Sequence, residues 1–243
     1  MVWLKPGVGL HPGMLDHMNR ALAVAAILVV LGGGYALYKA FTRVPPASDV
    51  LSDARVATAT EREEADTYVI DAKYPQFDIA AIDAQVEAVV GEALTQFKND
   101  VTLGPPPPGS AVARYEFQSM FDSAYVGPDV VSAKLVVSTY MGGAHGNAVI
   151  YGLNYDRESG NQLTLDDALS MIGLSLAEVA ERAKTELTTK LGADIISPEG
   201  ADPTPENYAT FIVGPERVTF VFQVYQIAPY AAGLQEVSFA RID

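Results

Sequence analysis

The spacing of apolar residues changes along the chain between the two periods that are typical of strands and of helices. From Thr67 to Lys73 apolar and polar residues alternate, which predicts a strand that Tyr74-Pro75 ends. From Ile79 to Asp100 the apolar residues fall on one stripe, which predicts a helix with one buried face. A second helix is predicted from Leu176 to Leu191, where Gly192 follows the last turn.

Further strand-like runs lie on the C-terminal side of a Gly-Pro-rich break. They are Ala113–Phe121, Val130–Tyr140, Ala148–Asp156, Gln162–Leu165, Ala209–Val213, Arg217–Tyr225 and Gln235–Arg241. Thr164 with Asp167 and Ser175 with Glu178 have the spacing of consecutive helix N-caps. Strands and helices do not alternate regularly, so we predict an α+β fold with a mainly antiparallel sheet packed with two or three helices.

A separate apolar segment precedes these elements. Residues 21–38 are 18 consecutive residues without charge, bounded by Arg20 and Lys39. A helix of that length spans roughly 27 Å, which is enough to cross the hydrocarbon core of a bilayer. No A-x-A-like cleavage site follows it, so we predict an uncleaved transmembrane signal anchor. Residues 1–20 then form a short N-terminus.

The rest of the chain is divided by its proline-rich stretches. Residues 44–65 contain Pro-Pro, small residues and mixed charge, and are interpreted as a stalk. Gly104 to Gly109 enclose four consecutive prolines, which lack backbone donors and interrupt regular structure. We therefore predict a first subdomain at 66–104, made of a strand and a helix, and a second subdomain at 109–243.

The charge of the chain restricts its partners. Residues 1–43 hold four of the 16 Lys and Arg and one of the 30 Asp and Glu, which leaves a net charge of −17 on residues 44–243. Such a domain repels nucleic acid, whose binding requires neutralisation of phosphates. The acidity either attracts cationic partners or serves only solubility. The chain has no cysteine, which excludes disulfides, thiolate nucleophiles and zinc–thiolate sites.

The most unusual local sequence is Tyr140-Met141-Gly142-Gly143-Ala144-His145-Gly146-Asn147. Its glycines imply positive φ angles or a close approach of another group to the backbone. The segment is either a ligand-facing loop, or a site where His145 acts as a general base, or a structural hairpin. One histidine does not define a catalytic triad or a metal site, and no serine or aspartate partner is indicated.

A second unusual segment runs from Tyr225 to Gly233, where Tyr225 and Tyr230 flank an apolar turn that contains Pro229. Exposed tyrosines on a rigid loop are typical of recognition surfaces, whereas buried ones hold a loop through their hydroxyls. The candidate ligand-binding residues are Tyr140, Gly142, Gly143, His145, Tyr225, Pro229 and Tyr230. The chain has no P-loop, Rossmann, EF-hand or G-x-S-x-G motif, so we assign no cofactor, metal ligand or catalytic residue.

These motifs resemble a known pair of domains. STYMGGAHGNAVIYGLNYDRESGNQLTLDDAL and VTFVFQVYQIAPYAAGLQEV resemble the domain of unknown function that ends RsiV-type anti-sigma factors. YVIDAKYPQF and the helix after it resemble the N-terminal partner of that domain, and the pair also occurs in PdaC-type peptidoglycan deacetylases. The match runs from about residue 66 to residue 243.

The resemblance implies a domain outside the cytoplasmic membrane. It thereby places residues 1–20 in the cytoplasm and predicts a single-pass inner-membrane protein with its C-terminal domain in the periplasm or outside the cell. In RsiV-type proteins the ectodomain binds lysozyme, a cationic protein. Residues 1–20 are too few for the sigma-binding domain of an anti-sigma factor, and a deacetylase needs a separate catalytic domain after residue 243, so we expect the shared module without either. We therefore expect a membrane-anchored envelope module that binds a lysozyme-like protein or peptidoglycan; the alternatives are a small hydrolase using His145 and a structural or assembly protein.

Overall fold

The computed structural model describes residues 56–102, 104–110, 112–192 and 197–242. The predicted N-terminus at 1–20, the predicted transmembrane anchor at 21–38 and residues 44–55 of the predicted stalk lie outside these ranges. Within these ranges, no helix combines the length and the apolar character needed to cross a bilayer.

The described residues form eight strands and three α-helices. The strands are β1 (Ala57–Glu64), β2 (Tyr68–Gln76), β3 (Tyr115–Val126), β4 (Val130–Tyr140), β5 (Asn147–Asp156), β6 (Phe211–Val213), β7 (Arg217–Phe222) and β8 (Gln235–Ala240). The helices are α1 (Ala80–Val101), α2 (Leu165–Ile172) and α3 (Leu176–Leu191). The prediction of an α+β fold with a mainly antiparallel sheet is therefore confirmed.

The first layer is a five-stranded sheet in the order β1-β2-β3-β4-β5. Its pairs are antiparallel except β2–β3, which is parallel because α1 connects these two strands as a crossover. The stripe predicted on α1 packs on one face of the sheet. Its buried residues are Ile82, Val86, Val90, Leu94, Phe97 and Val101.

The second layer is a three-stranded antiparallel sheet in the order β6-β7-β8, with α2 and α3 packed against it. Both helices begin with a capping box. Thr164 accepts a hydrogen bond from the Asp167 backbone while the Asp167 carboxylate accepts one from Thr164, and Ser175 and Glu178 repeat the arrangement. These reciprocal bonds satisfy backbone donors that the first turn of a helix leaves free, which explains why each helix begins where it does.

Amide side chains join the two sheets. The Asn154 amide of β5 donates to the Phe211 carbonyl at 2.6 Å and accepts from the Val213 amide at 2.9 Å. Ser132 of β4 donates to the same Asn154 oxygen at 2.8 Å. A Cβ at Gly152 would lie 2.1 Å from the Phe211 carbonyl oxygen, so only glycine permits this approach. Among the described strands, β6 pairs only with β7. On the other edge of β6, the Asn154 side chain makes the hydrogen bonds that a second neighbouring strand would make.

Two predicted boundaries are wrong. Residues 57–64, assigned to the stalk, form β1 and pair with β2 along their whole length. The subdomain boundary at 104–109 falls inside one sheet, because β2 from the first predicted subdomain pairs with β3 from the second. Charged residues dominate the end of β1, and its pattern therefore lacks the apolar alternation by which a strand is recognised.

Several strand limits also differ from their predictions; β3, for example, runs to Val126 and not to Phe121. β2 continues through Pro75 to Gln76 because Ala72 is its last residue paired with β3, so the missing N–H of Pro75 costs no bond on that side. The strand predicted at 162–165 is reduced to one bridge between Tyr155 and Gln162. β7 ends at Phe222 instead of Tyr225, because a turn begins at the next residue.

Candidate functional site

The glycine-rich loop at 141–146 connects β4 to β5. Half-buried Tyr140 holds it by donating its hydroxyl to the Gly143 carbonyl at 2.8 Å. Gly142 has a φ of 82°, and a Cβ there would lie 2.6 Å from the Ser110 Oγ. The predicted need for glycine is therefore met at Gly142 by both conformation and a close approach, and the loop leaves His145 exposed.

The second segment places Tyr225 on a tight turn. Gln226 donates its backbone N–H to the Gln223 carbonyl at 3.0 Å, and its side-chain oxygen accepts from the Gln223 N–H at 2.8 Å. The Gln226 amide also donates to the carbonyls of Gly200 and Asn207, at 2.9 Å each. Tyr225 lies between these anchors with a φ of 66°, and 55% of its surface is exposed.

Tyr230 is carried by a separate short turn. Exposed Pro229 precedes a 3-10 turn at Tyr230–Ala232, and its carbonyl accepts from the Ala232 N–H at 2.8 Å. The buried Gln235 side chain donates to the carbonyls of Ala232 and Gly233, which fixes the end of the turn. Burial raises the pKa of the half-buried Tyr230 hydroxyl, and the neighbouring Tyr225 adds to this shift.

Three aromatic rings from the two segments meet in what we call the aromatic cluster: His145, Tyr225 and Tyr230. The rings of His145 and Tyr230 are stacked, with centroids 4.1 Å apart and an angle of 14° between their planes. The Tyr225 ring lies 6.1 Å from His145 and 5.6 Å from Tyr230, tilted by 39° and 36°. The cluster brings together the two segments that the sequence analysis singled out.

The hydrogen-bond partners of the His145 ring indicate its tautomer. Its Nδ1 lies 2.8 Å from the Gly146 carbonyl oxygen, which can only accept, so the proton is assigned to Nδ1. Its Nε2 then accepts from the Tyr225 hydroxyl at 2.8 Å. Both ring nitrogens therefore have partners, and neither partner is a serine or a carboxylate. Among the residues that the structure describes, no group of three or more His, Asp and Glu side chains could hold a metal ion.

Gln223 connects the two halves of the aromatic cluster. Its side-chain oxygen accepts from the Ile150 N–H at 3.0 Å, and its nitrogen donates to the Ile150 carbonyl at 2.8 Å and to Thr210 at 3.1 Å. Ile150 lies on β5, a few residues after His145, whereas Gln223 begins the turn that carries Tyr225. This amide pairs with the edge of β5 as a strand would, and it fixes the separation of the two loops.

The residues that carry the aromatic rings were predicted from the sequence. The residues that hold the two loops in place were not. Gln223, Gln226 and Gln235 fix the turns beneath Tyr225 and Tyr230, and Ser110 packs against Gly142. Glutamine is usually a surface residue, so no local pattern distinguishes a glutamine that replaces strand hydrogen bonds. The role of each glutamine in fixing a turn is visible only in the structure, where its side-chain amide bonds at least two backbone groups.

Two regions of the chain match the sequence models of known families. Residues 61–148 match the model described as "Deacetylase PdaC", and residues 166–241 match the model described as "Protein of unknown function (DUF3298)". Neither model covers half of the chain, and we call the two matched stretches the PdaC-type region and the DUF3298 region. The predicted pair of domains is confirmed at this level, but the motif around His145, which was assigned to the C-terminal domain, lies in the PdaC-type region. The relationship to RsiV-type anti-sigma factors stays a prediction.

Individual proteins are similar over most of the chain. Peptidoglycan-N-acetylmuramic acid deacetylase PdaC of Bacillus subtilis (strain 168) is 23% identical over 189 residues, which are 76% of this chain and 40% of that protein. The chain thus matches less than half the length of this relative.

Two crystal structures of DUF3298 family proteins share the fold. The protein from Pseudomonas aeruginosa PAO1 aligns with a TM-score of 0.55 and 19% identity over 78% of this chain and 91% of its own. The protein from Bacteroides fragilis NCTC 9343 aligns with a TM-score of 0.53 and 17% identity over 77% of this chain and 90% of its own.

The aromatic cluster draws on both matched regions. His145 lies in the PdaC-type region, and Tyr225 and Tyr230 lie in the DUF3298 region. The cluster consequently depends on the joint between the two sheets, and either region alone would supply only part of it.

Proposed function

We propose that this protein is a binding module of the cell envelope that recognises peptidoglycan through the aromatic cluster. The observation that carries the proposal is the conformation of Tyr225. This residue combines a left-handed backbone, with a φ of 66°, and a side chain of which 55% is exposed.

A large side chain in that backbone region costs on the order of 1–3 kcal/mol, and glycine would avoid the cost. An exposed ring returns little of this energy through burial, because most of its surface stays in water. Such strain is typical of functional positions, where the side chain serves recognition at the expense of stability. Tyr225 is therefore best explained as a residue that contacts a ligand.

The class of ligand is suggested by the relatives. The Bacillus subtilis protein that is similar over 76% of this chain is named for its action on peptidoglycan N-acetylmuramic acid. Residues 61–148, which include His145, also match the family model described as "Deacetylase PdaC". Because peptidoglycan is the polymer named for that relative, it is the ligand we propose for the aromatic cluster.

We also propose that residues 21–38 anchor the protein as a single-pass protein of the cytoplasmic membrane, with the C-terminal domain in the periplasm or outside the cell. The 18 uncharged residues of this segment support the anchor. Because the chain lacks cysteine, Ile242→Cys introduces a single exposed thiol that can report the orientation. Intact or outer-membrane-permeabilised cells should react with a membrane-impermeant maleimide; labelling only after lysis would reverse the orientation.

A second candidate partner is a cationic protein such as lysozyme. The net charge of −14 on the whole chain favours it, because opposite charges accelerate association and strengthen it at low salt. Salt separates the two candidates. Binding of a cationic protein should weaken steeply as ionic strength rises, whereas binding through uncharged rings should change little.

The test uses the full chain in mild detergent, incubated with purified peptidoglycan sacculi. We expect retention of the wild type, loss of retention for Tyr225→Gly, and unchanged retention for Ile242→Ala, which truncates an exposed apolar side chain beside Gly173, outside both loops. Tyr225→Gly suits the left-handed backbone and removes the ring together with its hydroxyl bond to His145. Equal retention of Tyr225→Gly and wild type, or no retention of either at low salt, would refute the proposal; retention of lysozyme alone would favour the second candidate.

A further inference from the structure

We propose that the aromatic cluster binds the faces of uncharged sugar rings in the glycan strand, and not the charged peptide stems. This inference rests on the proposed function, since it names the part of peptidoglycan that the same surface contacts. It follows from the arrangement of the rings, from the absence of charge in both loops and from the hydrogen bonds that remain open.

The rings form a stepped platform and not a cage. His145 and Tyr230 are stacked at 14°, and the Tyr225 plane is tilted by less than 40° from both. A cage for an ammonium group would need rings that face one another around a central space. Nearly parallel rings instead present flat faces, and the C–H groups on one side of a pyranose pack on such faces through dispersion.

Neither loop contains a charged residue. Residues 140–147 and 223–233 include no Asp, Glu, Lys or Arg, although such residues make up 19% of the chain. Every ion pair found among the described residues involves side chains outside these two segments. Carboxylates of a peptide stem would therefore find no cation on the loops, and they would be repelled by the acidic domain around them.

The cluster keeps the kind of polar groups that hydroxyls and acetamides can use. Tyr225 donates its proton to His145, so its oxygen can still accept a hydrogen bond from a sugar hydroxyl. Met141, in the same loop as His145, leaves 39% of its surface exposed and offers an apolar contact for an acetyl methyl group. A few polar groups beside flat apolar surface are typical of sites for small polar ligands.

The experiment titrates the full chain, in mild detergent, with a soluble N-acetylglucosamine oligosaccharide, with its de-N-acetylated cationic form and with a free stem peptide, followed by calorimetry. We expect the N-acetylated oligosaccharide to bind with little dependence on salt and the stem peptide not to bind. Tyr225→Gly should weaken binding roughly tenfold or more, since it removes both the aromatic contact and the apolar surface that the ring would bury against the sugar. Tyr225→Phe should retain most of the affinity, and Ile242→Ala all of it.

Retention on sacculi without binding of the N-acetylated oligosaccharide would overturn this inference and leave the proposed function intact. Failure of sacculi and oligosaccharide alike would refute both. A salt-dependent preference for the de-N-acetylated form would also overturn the inference, because the surface would then recognise positive charge. Competition by the stem peptide for sacculi would assign recognition to the peptide.

Discussion

The two loops that meet at the aromatic cluster achieve their shapes by opposite means. In the loop at 141–146 the left-handed position is Gly142, which has no Cβ to clash with Ser110. In the turn at 223–226 the left-handed position is Tyr225, held between Gln223 and Gln226. In the loop at 141–146, the left-handed position and the exposed His145 are different residues, so the loop is relaxed. In the turn at 223–226, the strained residue and the exposed residue are both Tyr225.

This difference distinguishes a residue that the shape of its loop requires from a residue that we propose contacts a ligand. At Gly142 the residue type follows from the backbone, because a side chain there would be strained and crowded. At Tyr225 the backbone would prefer glycine, so the ring must be retained for what it contacts. The amides of Gln223 and Gln226 provide the bonds that keep the strained turn in place.

The largest effect is expected at the joint that holds the two loops together. Asn154→Leu should destabilise the protein by about 2–3 kcal/mol, because it leaves the buried Phe211 carbonyl without its partner and leaves the Val213 N–H and the Ser132 hydroxyl with only the 3.3 Å bond between them. Chemical denaturation of the full chain in detergent measures the free energy of unfolding. Binding should weaken in the same variant because the cluster draws on both sheets.

Asn147→Leu is the matched control, at an exposed position at the start of the same strand. We expect its free energy of unfolding to stay within about 0.5 kcal/mol of the wild type. If Asn154→Leu were as stable as this control, the amide would not carry the joint, and the two loops would need another connection.

Intermediate effects of opposite sign are expected at the two left-handed positions. Gly142→Ala should destabilise by about 1–2 kcal/mol, since alanine is strained at a φ of 82° and would press on Ser110. Tyr225→Gly should leave stability unchanged or raise it by up to about 1 kcal/mol, while it weakens binding roughly tenfold or more. Denaturation and the sacculus assay on the same samples measure both quantities.

Each position has a control nearby. Gly143 has no positive φ and only a 3.7 Å neighbour, so Gly143→Ala should be almost neutral. Tyr225→Ala removes the ring but keeps a residue that is strained in the turn, so it should be less stable than Tyr225→Gly by about 1 kcal/mol. A Tyr225→Gly protein that is clearly less stable than wild type would contradict the claim that the ring is held under strain.

Local patterns predicted most of the fold. The stripe of α1, the consecutive N-caps at Thr164 and Ser175, and the alternation in β2 all reflect contacts within one element or its immediate neighbours. Strand β1 was not predicted, because its charged end lacks apolar alternation and its pairing with β2 is not visible in its own sequence. The division at the prolines was wrong because pairing of β2 with β3 depends on a crossover through α1, which no local pattern encodes.

The sequence indicates which residues form the candidate site, but it does not indicate how these residues are arranged in space. Glycines around His145 and tyrosines around Pro229 are unusual enough to be noticed separately. Their meeting depends on long-range bonds between Gln223 and Ile150, which lie 73 positions apart in sequence. The left-handed φ of Tyr225 was likewise hidden, because tyrosine gives no indication of such a backbone.

The smallest effect should separate the loops by their response to alkali. Burial raises the pKa of Tyr230 above its usual value near 10, so the folded state favours the neutral phenol. Its contribution to stability is therefore fully present below pH 10 and is lost as pH rises through the higher folded pKa. We expect the free energy of unfolding of the wild type to fall more steeply above pH 10 than that of Tyr230→Phe, which keeps the ring stacked on His145.

Other buried tyrosines also titrate in this range, and Tyr155 and Tyr208 have raised pKa values for the same reason, so only the difference between the two proteins reports on Tyr230. Gly142→Ala provides the comparison, since it leaves every tyrosine in place and should lower stability equally at every pH. Parallel curves for wild type and Tyr230→Phe would mean that the Tyr230 phenol gains nothing from its place in the cluster. A steeper fall for the wild type would locate the sensitivity to alkali in the tyrosine-bearing loop, where recognition is proposed.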